Sequence, residues 1–192
     1  MVEHQGDLPA ALGVIRHESA LVRGALVGTM LRNDGYNFAR LGTFVERADS
    51  TARILDVKYY MLLPSAGFVG SAINKVQWET ILRSVSAQRV FRWKNSGDVT
   101  PMAIAQFLIL DLQSPRSLAF CWSKIDDNLH HISGQYDKTR PSNDIATRNR
   151  TQLDGHTIDS IVNEGLHEFL GWAMQSTGEV AAAIETDYRF AS

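Results

Sequence analysis

One stretch constrains the fold more than any other. Phe38, Leu41, Val45, Ala48, Ala52, Leu55, Tyr59 and Leu62 recur at alternating steps of three and four. That is the period of a helix burying one narrow stripe along its whole length, and it predicts a long helix packed lengthwise against another. Asn33-Asp34-Gly35 breaks the chain before it, where Asn33 or Asp34 can cap the helix. Pro64 stops it after Leu63. A chain built around such an element belongs among helical bundles.

The remaining segments agree. Leu12, Ile15, Val22, Leu26 and Met30 predict a helix from about Pro9 to Leu31, with Gly24 and Gly28 available for close packing against a neighbour. Ser71, in the loop after Gly67 and Gly70, caps a third helix running to about Lys94, whose inward residues are Val76, Ile81, Leu82, Val85 and Phe91; Gly97 ends that region. Thr100-Pro101 and Ser114-Pro115 pair a capping side chain with proline and open two more. The first carries Ile104, Phe107 and Leu108, and the second runs through Leu118, Trp122, Ile125, Leu129 and Ile132 to Gly134. A polar loop around Pro141 precedes a weakly apolar helix from about Asp144 to Asp154. Thr157 then caps a last long helix carrying Val162, Leu166, Phe169, Ala173, Val180, Ile184 and Tyr188. No alternating strand pattern occurs. The fold class expected is all-α, an antiparallel bundle of six to seven helices forming one domain over residues 1–192.

Composition narrows the function. A formal charge of -2 lacks the basic excess that neutralises phosphates, which disfavours nucleic acid. The one cysteine, Cys121, can form no internal disulfide and suits a reducing compartment. No apolar run reaches the roughly 20 residues of a membrane span, and Glu3 and Asp7 stand where a signal peptide would be basic and apolar, so the expected location is the cytoplasm. No metal site and no cofactor are expected. His130 and His131 are adjacent and face different ways. His167-Glu168 lacks the second histidine of a metalloprotease helix, and no glycine-rich phosphate loop occurs.

The chemistry that stands out lies beside the seam. Glu46, Asp49, Arg53 and Asp56 form a second stripe, in which Arg53 can pair with Asp49 or Asp56. Glu46 and Arg47 have no oppositely charged residue three or four positions away, so burial of either demands a partner from another helix, a second subunit or a ligand. The alternatives are a solvated pair, an inter-helix ion network and a ligand site. Arg116, expected in a helix's first turn, could join the motif in holding a phosphate or carboxylate, or could pair with Asp111 or Asp126. Arg83, Arg89, Arg92 and Lys94 cluster near Trp78 and Trp93. Cys121 reads as a small buried hydrophobe.

The stretch GTMLRNDGYNFARLGTFVERADSTARILDVKYYMLLP, with its Glu46-Arg47, closely resembles the alpha-E family, a bacterial all-helical domain of unknown function with a Glu-Arg motif. Similarity continues through Trp78–Ala87, Phe107–Leu118 and Glu164–Leu170. Family members are usually longer, with an earlier Glu-Arg segment, so the chain resembles the C-terminal half. A homodimer that rebuilds the other half, with the helix-two seam in its interface, is the corresponding expectation. The resemblance implies protein partners of two kinds, circularly permuted ATP-grasp ligases and transglutaminase-like proteases. It therefore implies a role as a helical adaptor or accessory subunit in making, modifying or trimming peptide bonds. The other expectation is an enzyme on peptides or amides, with Glu46 as general acid or base and Arg47 or Arg116 holding a carboxylate. The residues expected to form a polar network or ligand site are Glu46, Arg47, Asp49, Arg53, Arg116, His167 and Glu168.

Overall fold

A computed structural model describes residues 7–62, 72–95 and 99–189, with side chains described except at 58–62 and 72–75. Among them are nine helices and no strand: α1 Leu8–Thr29, α2 Asp34–Leu62, α3 Ala72–Ser84, α4 Gln88–Lys94, α5 Pro101–Leu110, α6 Leu118–Tyr136, α7 Pro141–Asp154, α8 Ile158–Glu164 and α9 Leu166–Tyr188. The fold class is all-α as expected. The chain falls into two compact units, Met1–Phe38 and Ala39–Ser192.

In the first unit, α1 starts with a proline in its first turn and buries none of its residues. A Cβ built on Gly24 or Gly28 meets no atom within 4 Å among the described residues, so neither glycine shows the close packing expected of it. Asn33 is the cap of α2, its Oδ1 accepting from the Tyr36 amide at 3.3 Å.

In the second unit the α2 seam is buried as its period requires. Leu41, Ala48, Ala52 and Leu55 are buried and Val45 is half-buried. Phe44, next to Val45 and on the same buried face as Leu41 and Ala48, packs edge-to-face on Phe120 with ring centroids 5.9 Å apart. The seam is filled by residues of this same chain, so a homodimer would need another face. The seam's last two side chains, Tyr59 and Leu62, lie outside the described residues, as do the stops and caps expected at Pro64, Gly67, Gly70, Ser71 and Gly97.

Helices α5, α6, α7 and α9 pack in succession and α8 closes on α9 and α5. The two additional helices come from breaks inside segments read as continuous. After Ser84, Ser86 adopts φ 57°, the Ser86 amide donates to Arg83 and the Ala87 amide donates to Leu82. This is a Schellman end carried by serine where glycine is usual, and so it leaves no glycine signal. It separates α3 from α4, and Val76 is exposed where an inward position was expected. Gly165 at φ 116° separates α8 from α9. The Glu168 carboxylate lies where a Cβ on Gly165 would stand, but as the end of an exposed side chain it can swing aside, so the positive φ is what favours glycine here. Val162, expected inward, is likewise exposed.

Three boundaries also shift. Helix α6 is capped by Ser117, not Ser114, its Oγ accepting from the Phe120 amide at 3.1 Å. Helix α6 runs past Gly134 and ends at Asp137 in the left-handed region, φ 48°. Helix α7 starts at Pro141, absorbing the expected loop, because Asn143 Oδ1 accepts from the Arg140 amide and Asp187 Oδ2 accepts from the Ser142 amide at 2.8 Å.

The weak apolar pattern of α7 has a physical reason: its inner face is polar and bonded. Asn149 donates to the Ser176 carbonyl at 3.0 Å within the core. Asp126 of α6, nearly buried, receives Thr147 at 2.8 Å and Arg150 at 3.0 Å, with His130 Nδ1 at 3.1 Å. Trp122 donates to Thr177 at 3.1 Å beside a ring cluster of Trp172, Phe169 and His156. Removing the Asp126 carboxylate takes its charge and its two bonds from α7, although Thr147 is exposed and Arg150 keeps Asp127 at 3.4 Å. Asp126→Ala is expected to cost about 1–2 kcal/mol. At roughly 2–4 °C per kcal/mol for a chain of this size, calorimetry should show a midpoint lowered by several degrees. An unchanged midpoint would show that α6 and α7 do not depend on it.

Candidate functional site

The site grows from one turn. Residues 111–117 leave α5 and enter α6, and their backbone would be short of partners without outside help. Asp111 Oδ1 accepts from the amides of Gln113 at 2.8 Å and Ser114 at 2.9 Å. The Ser117 hydroxyl donates to the Asp111 and Ser114 carbonyls. Lys94, at the end of α4, binds Asp111 Oδ2 at 2.5 Å. Burial pushes the Asp111 carboxyl upward, but Lys94 and the two amides outweigh it and hold it below its ordinary value.

Helix α2 takes the two carbonyls that remain on the outer side of the turn. The buried Thr51 hydroxyl donates to the Arg116 carbonyl at 2.9 Å. Arg47 Nη1 donates to the Pro115 carbonyl at 3.5 Å, and its guanidinium also lies 5.7 Å from the Phe44 ring centre. Arg47 and Thr51 are four apart, so one helix face presents both donors. Glu46, one position away, points elsewhere and is exposed, with no hydrogen bond or ion pair among the described residues. The two motif residues therefore do different things: Arg47 fastens α2 to the turn, and Glu46 stands on the surface beside that fastening.

Beneath them is Cys121, fully buried one turn into α6, its Sγ 3.7 Å from the Pro115 carbonyl. Burial pushes its thiol up to about 12; the charges of Arg47 and Arg116 pull it down and that of Glu46 pushes it up. All three charged groups therefore act on the same thiol, and burial wins. The sequence gives no sign that Cys121 lies under the motif, because 75 positions separate Glu46 from it.

The other expected residues lie apart from this centre. Asp49 and Arg53 pair with each other at 2.7 Å, as their spacing predicts, and Asp49 raises the Arg53 guanidinium first through that hydrogen bond. Arg53 also rims an apolar groove between α2 and α3 with Ile54, Val57, Thr80 and Ile81. Asp56 pairs not with Arg53 but with His167 Nδ1 at 2.5 Å, joining α2 to α9. Glu168 is exposed in the first turn of α9, where its charge suits the free amides. Arg116 precedes the cap of α6 rather than sitting in its first turn. It does not take Asp111 or Asp126, which are held by Lys94 and by Arg150 with His130. Its half-buried guanidinium has no hydrogen bond or ion pair among the described residues. Arg83 and Arg92 both bind Glu79, at 3.6 Å and 3.1 Å, bracing α3 against α4.

Among the described residues, no group of three or more His, Cys, Asp or Glu could hold a metal ion. No helix there is long and apolar enough to cross a membrane.

Two outcomes are expected of the turn. A thiolate fraction set by a value of about 12 instead of 9.0 is smaller by roughly three orders of magnitude at neutral pH. Cys121 should resist a thiol reagent in the native chain and react at once in denaturant; equal rates would contradict its burial. The depressed Asp111 carboxyl stabilises the fold above its unfolded value of 3.8, and that contribution is lost as pH falls through the lower folded value. The midpoint difference between the parent and Asp111→Asn should persist at neutral pH and close below pH 3.8. A gap that stays open there would contradict the assignment.

A family model described as a predicted alpha-helical domain with a conserved ER motif, Alpha-E, matches residues 2–188. The chain belongs to the Alpha-E family, and Glu46-Arg47 is its one Glu-Arg dipeptide. No curated protein and no solved structure matches the chain.

Proposed function

We propose that this Alpha-E domain is a non-catalytic adaptor or accessory subunit of a system that makes or modifies peptide bonds, and that the family's Glu-Arg pair is a mounted recognition element. One observation carries the reading. Arg47 is engaged with the Pro115 carbonyl while Glu46 next to it is exposed and has no ion pair among the described residues. A carboxylate held at a fixed place on a rigid helix, with the half-buried Arg116 nearby, offers a partner a charge pattern rather than a reaction centre. A general acid or base would need a water-excluding setting and a second reacting group. Glu46 is solvated, and the thiol below it is kept protonated by burial.

The partner proposed is an ATP-grasp ligase of the circularly permuted type or a transglutaminase-like protease. Its docking face would carry a cation for Glu46 and an acid for Arg116. The setting proposed is the bacterial cytoplasm.

The two motif residues should separate in experiment. Arg47→Ala should lower stability by about 1 kcal/mol, the worth of one long charged hydrogen bond. Glu46→Gln should stay within about 0.5 kcal/mol of the parent. In co-purification with such a ligase or protease, Glu46→Gln should lose the partner while remaining folded. Full retention of the partner by Glu46→Gln would refute the reading. So would peptide-amide hydrolysis by the isolated chain that disappears in Glu46→Gln, which would make Glu46 an acid or base instead.

A further inference from the structure

Helix α1 is helical over 22 residues yet buries none of them. Leu8, Leu12, Ile15 and Val22 are 55–66% exposed. With Leu26 these residues follow steps of four, three, seven and four, so Leu12, Ser19 and Leu26 take the a positions of a heptad and Leu8, Ile15 and Val22 the d positions. A helix with such a seam is stable in water only when something covers it.

The charges flanking the seam say what covers it. Glu18 precedes an a position and so stands at g; Arg23 follows a d position and so stands at e. Neither has an opposite charge three or four residues away in its own helix, and neither has an ion pair among the described residues. Among the described residues Arg23 bonds the Ser19 carbonyl of its own turn, at 3.2 Å. In a parallel coiled coil, a g residue faces the e residue five positions later on the other strand, which is the spacing from Glu18 to Arg23. An antiparallel pair in the same seam would instead set e against e and bring Arg16 and Arg23 together. The charge pattern thus complements a second copy of itself in one direction only.

At on the order of 80 Å² for each aliphatic side chain, the five seam residues would remove roughly 800 Å² over two copies, the size of a weak, concentration-dependent interface.

We propose that α1 is a self-association helix, pairing in parallel register with α1 of a second copy, with Glu18 of each copy against Arg23 of the other. This goes beyond the adaptor reading and does not depend on Glu46. Polar Ser19 at the central a position fixes the register, as a lone polar residue does in other coiled coils.

Light scattering on the full chain tests it. The parent should have the mass of at least two chains, and Ile15→Glu with Val22→Glu should be a monomer whose unfolding transition matches the parent's. Glu18→Arg alone or Arg23→Glu alone should weaken association about tenfold, because both symmetric pairs become repulsive. The two together should restore it. A monomeric parent would overturn the proposal. So would loss of cooperative unfolding in Ile15→Glu with Val22→Glu, which would place the stripe in the chain's own core. Failure of the double charge swap to restore association would overturn the parallel register. The adaptor reading survives each of these results, since its own test reads Glu46 and a different protein.

Discussion

The turn from Asp111 to Ser117 is the constraint on which the second unit depends. Four helices meet there, and each supplies something the turn's backbone lacks. Helix α4 brings Lys94 to Asp111, and Asp111 itself binds the amides of Gln113 and Ser114. Ser117 caps α6, and α2 reaches across with Arg47 and Thr51 to the carbonyls of Pro115 and Arg116. Backbone groups buried without partners cost about as much as a lost hydrogen bond each. A turn this short therefore stays in place only because its neighbours complete it.

That arrangement explains why a charged dipeptide can recur at one place on an apolar seam. The seam sets the rotation of α2, and the rotation decides which of two adjacent side chains turns toward the turn and which toward water. About 100° separates neighbours on a helix, so Arg47 and Glu46 could not both face Pro115. The arginine's reach and planar donors suit a carbonyl at the edge of the core. The carboxylate, which could only accept, would find no donor there. Stability and display are thus divided between two consecutive residues.

Much of the fold was legible in the residues. The α2 seam, a cap at Asn33 or Asp34, the Thr100 cap and the inward faces of α5 and α6 follow from period and capping chemistry alone. The breaks at Ser86 and Gly165 were not. Ser86 takes a left-handed conformation that glycine usually marks, and Gly165 sits in a helical pattern that continues on both sides. The α6 start lies three residues beyond the Ser114-Pro115 expected to open it, because Asp111 binds the Gln113 and Ser114 amides into the turn and Ser117 supplies the cap. Of the candidate site, the Asp49–Arg53 pair was legible as an i, i+4 contact, and so was the lack of an oppositely charged residue one turn away from Glu46 or Arg47 in their own helix. The long-range partners were not: Pro115 for Arg47, His167 for Asp56 and Arg150 for Asp126 lie 68, 111 and 24 positions away. Spacing carries no information over such separations, which packing alone determines.

The central claim is that the motif is divided, with Arg47 belonging to the turn and Glu46 to the surface. A double-mutant cycle measures this division directly, pairing Thr51→Val first with Arg47→Ala and then with Glu46→Gln. Residues that share a network couple by about 0.5 kcal/mol or more, whereas independent ones add. The account predicts coupling between Thr51 and Arg47 and simple addition between Thr51 and Glu46. Additive effects for Arg47, or a coupled Glu46, would contradict it.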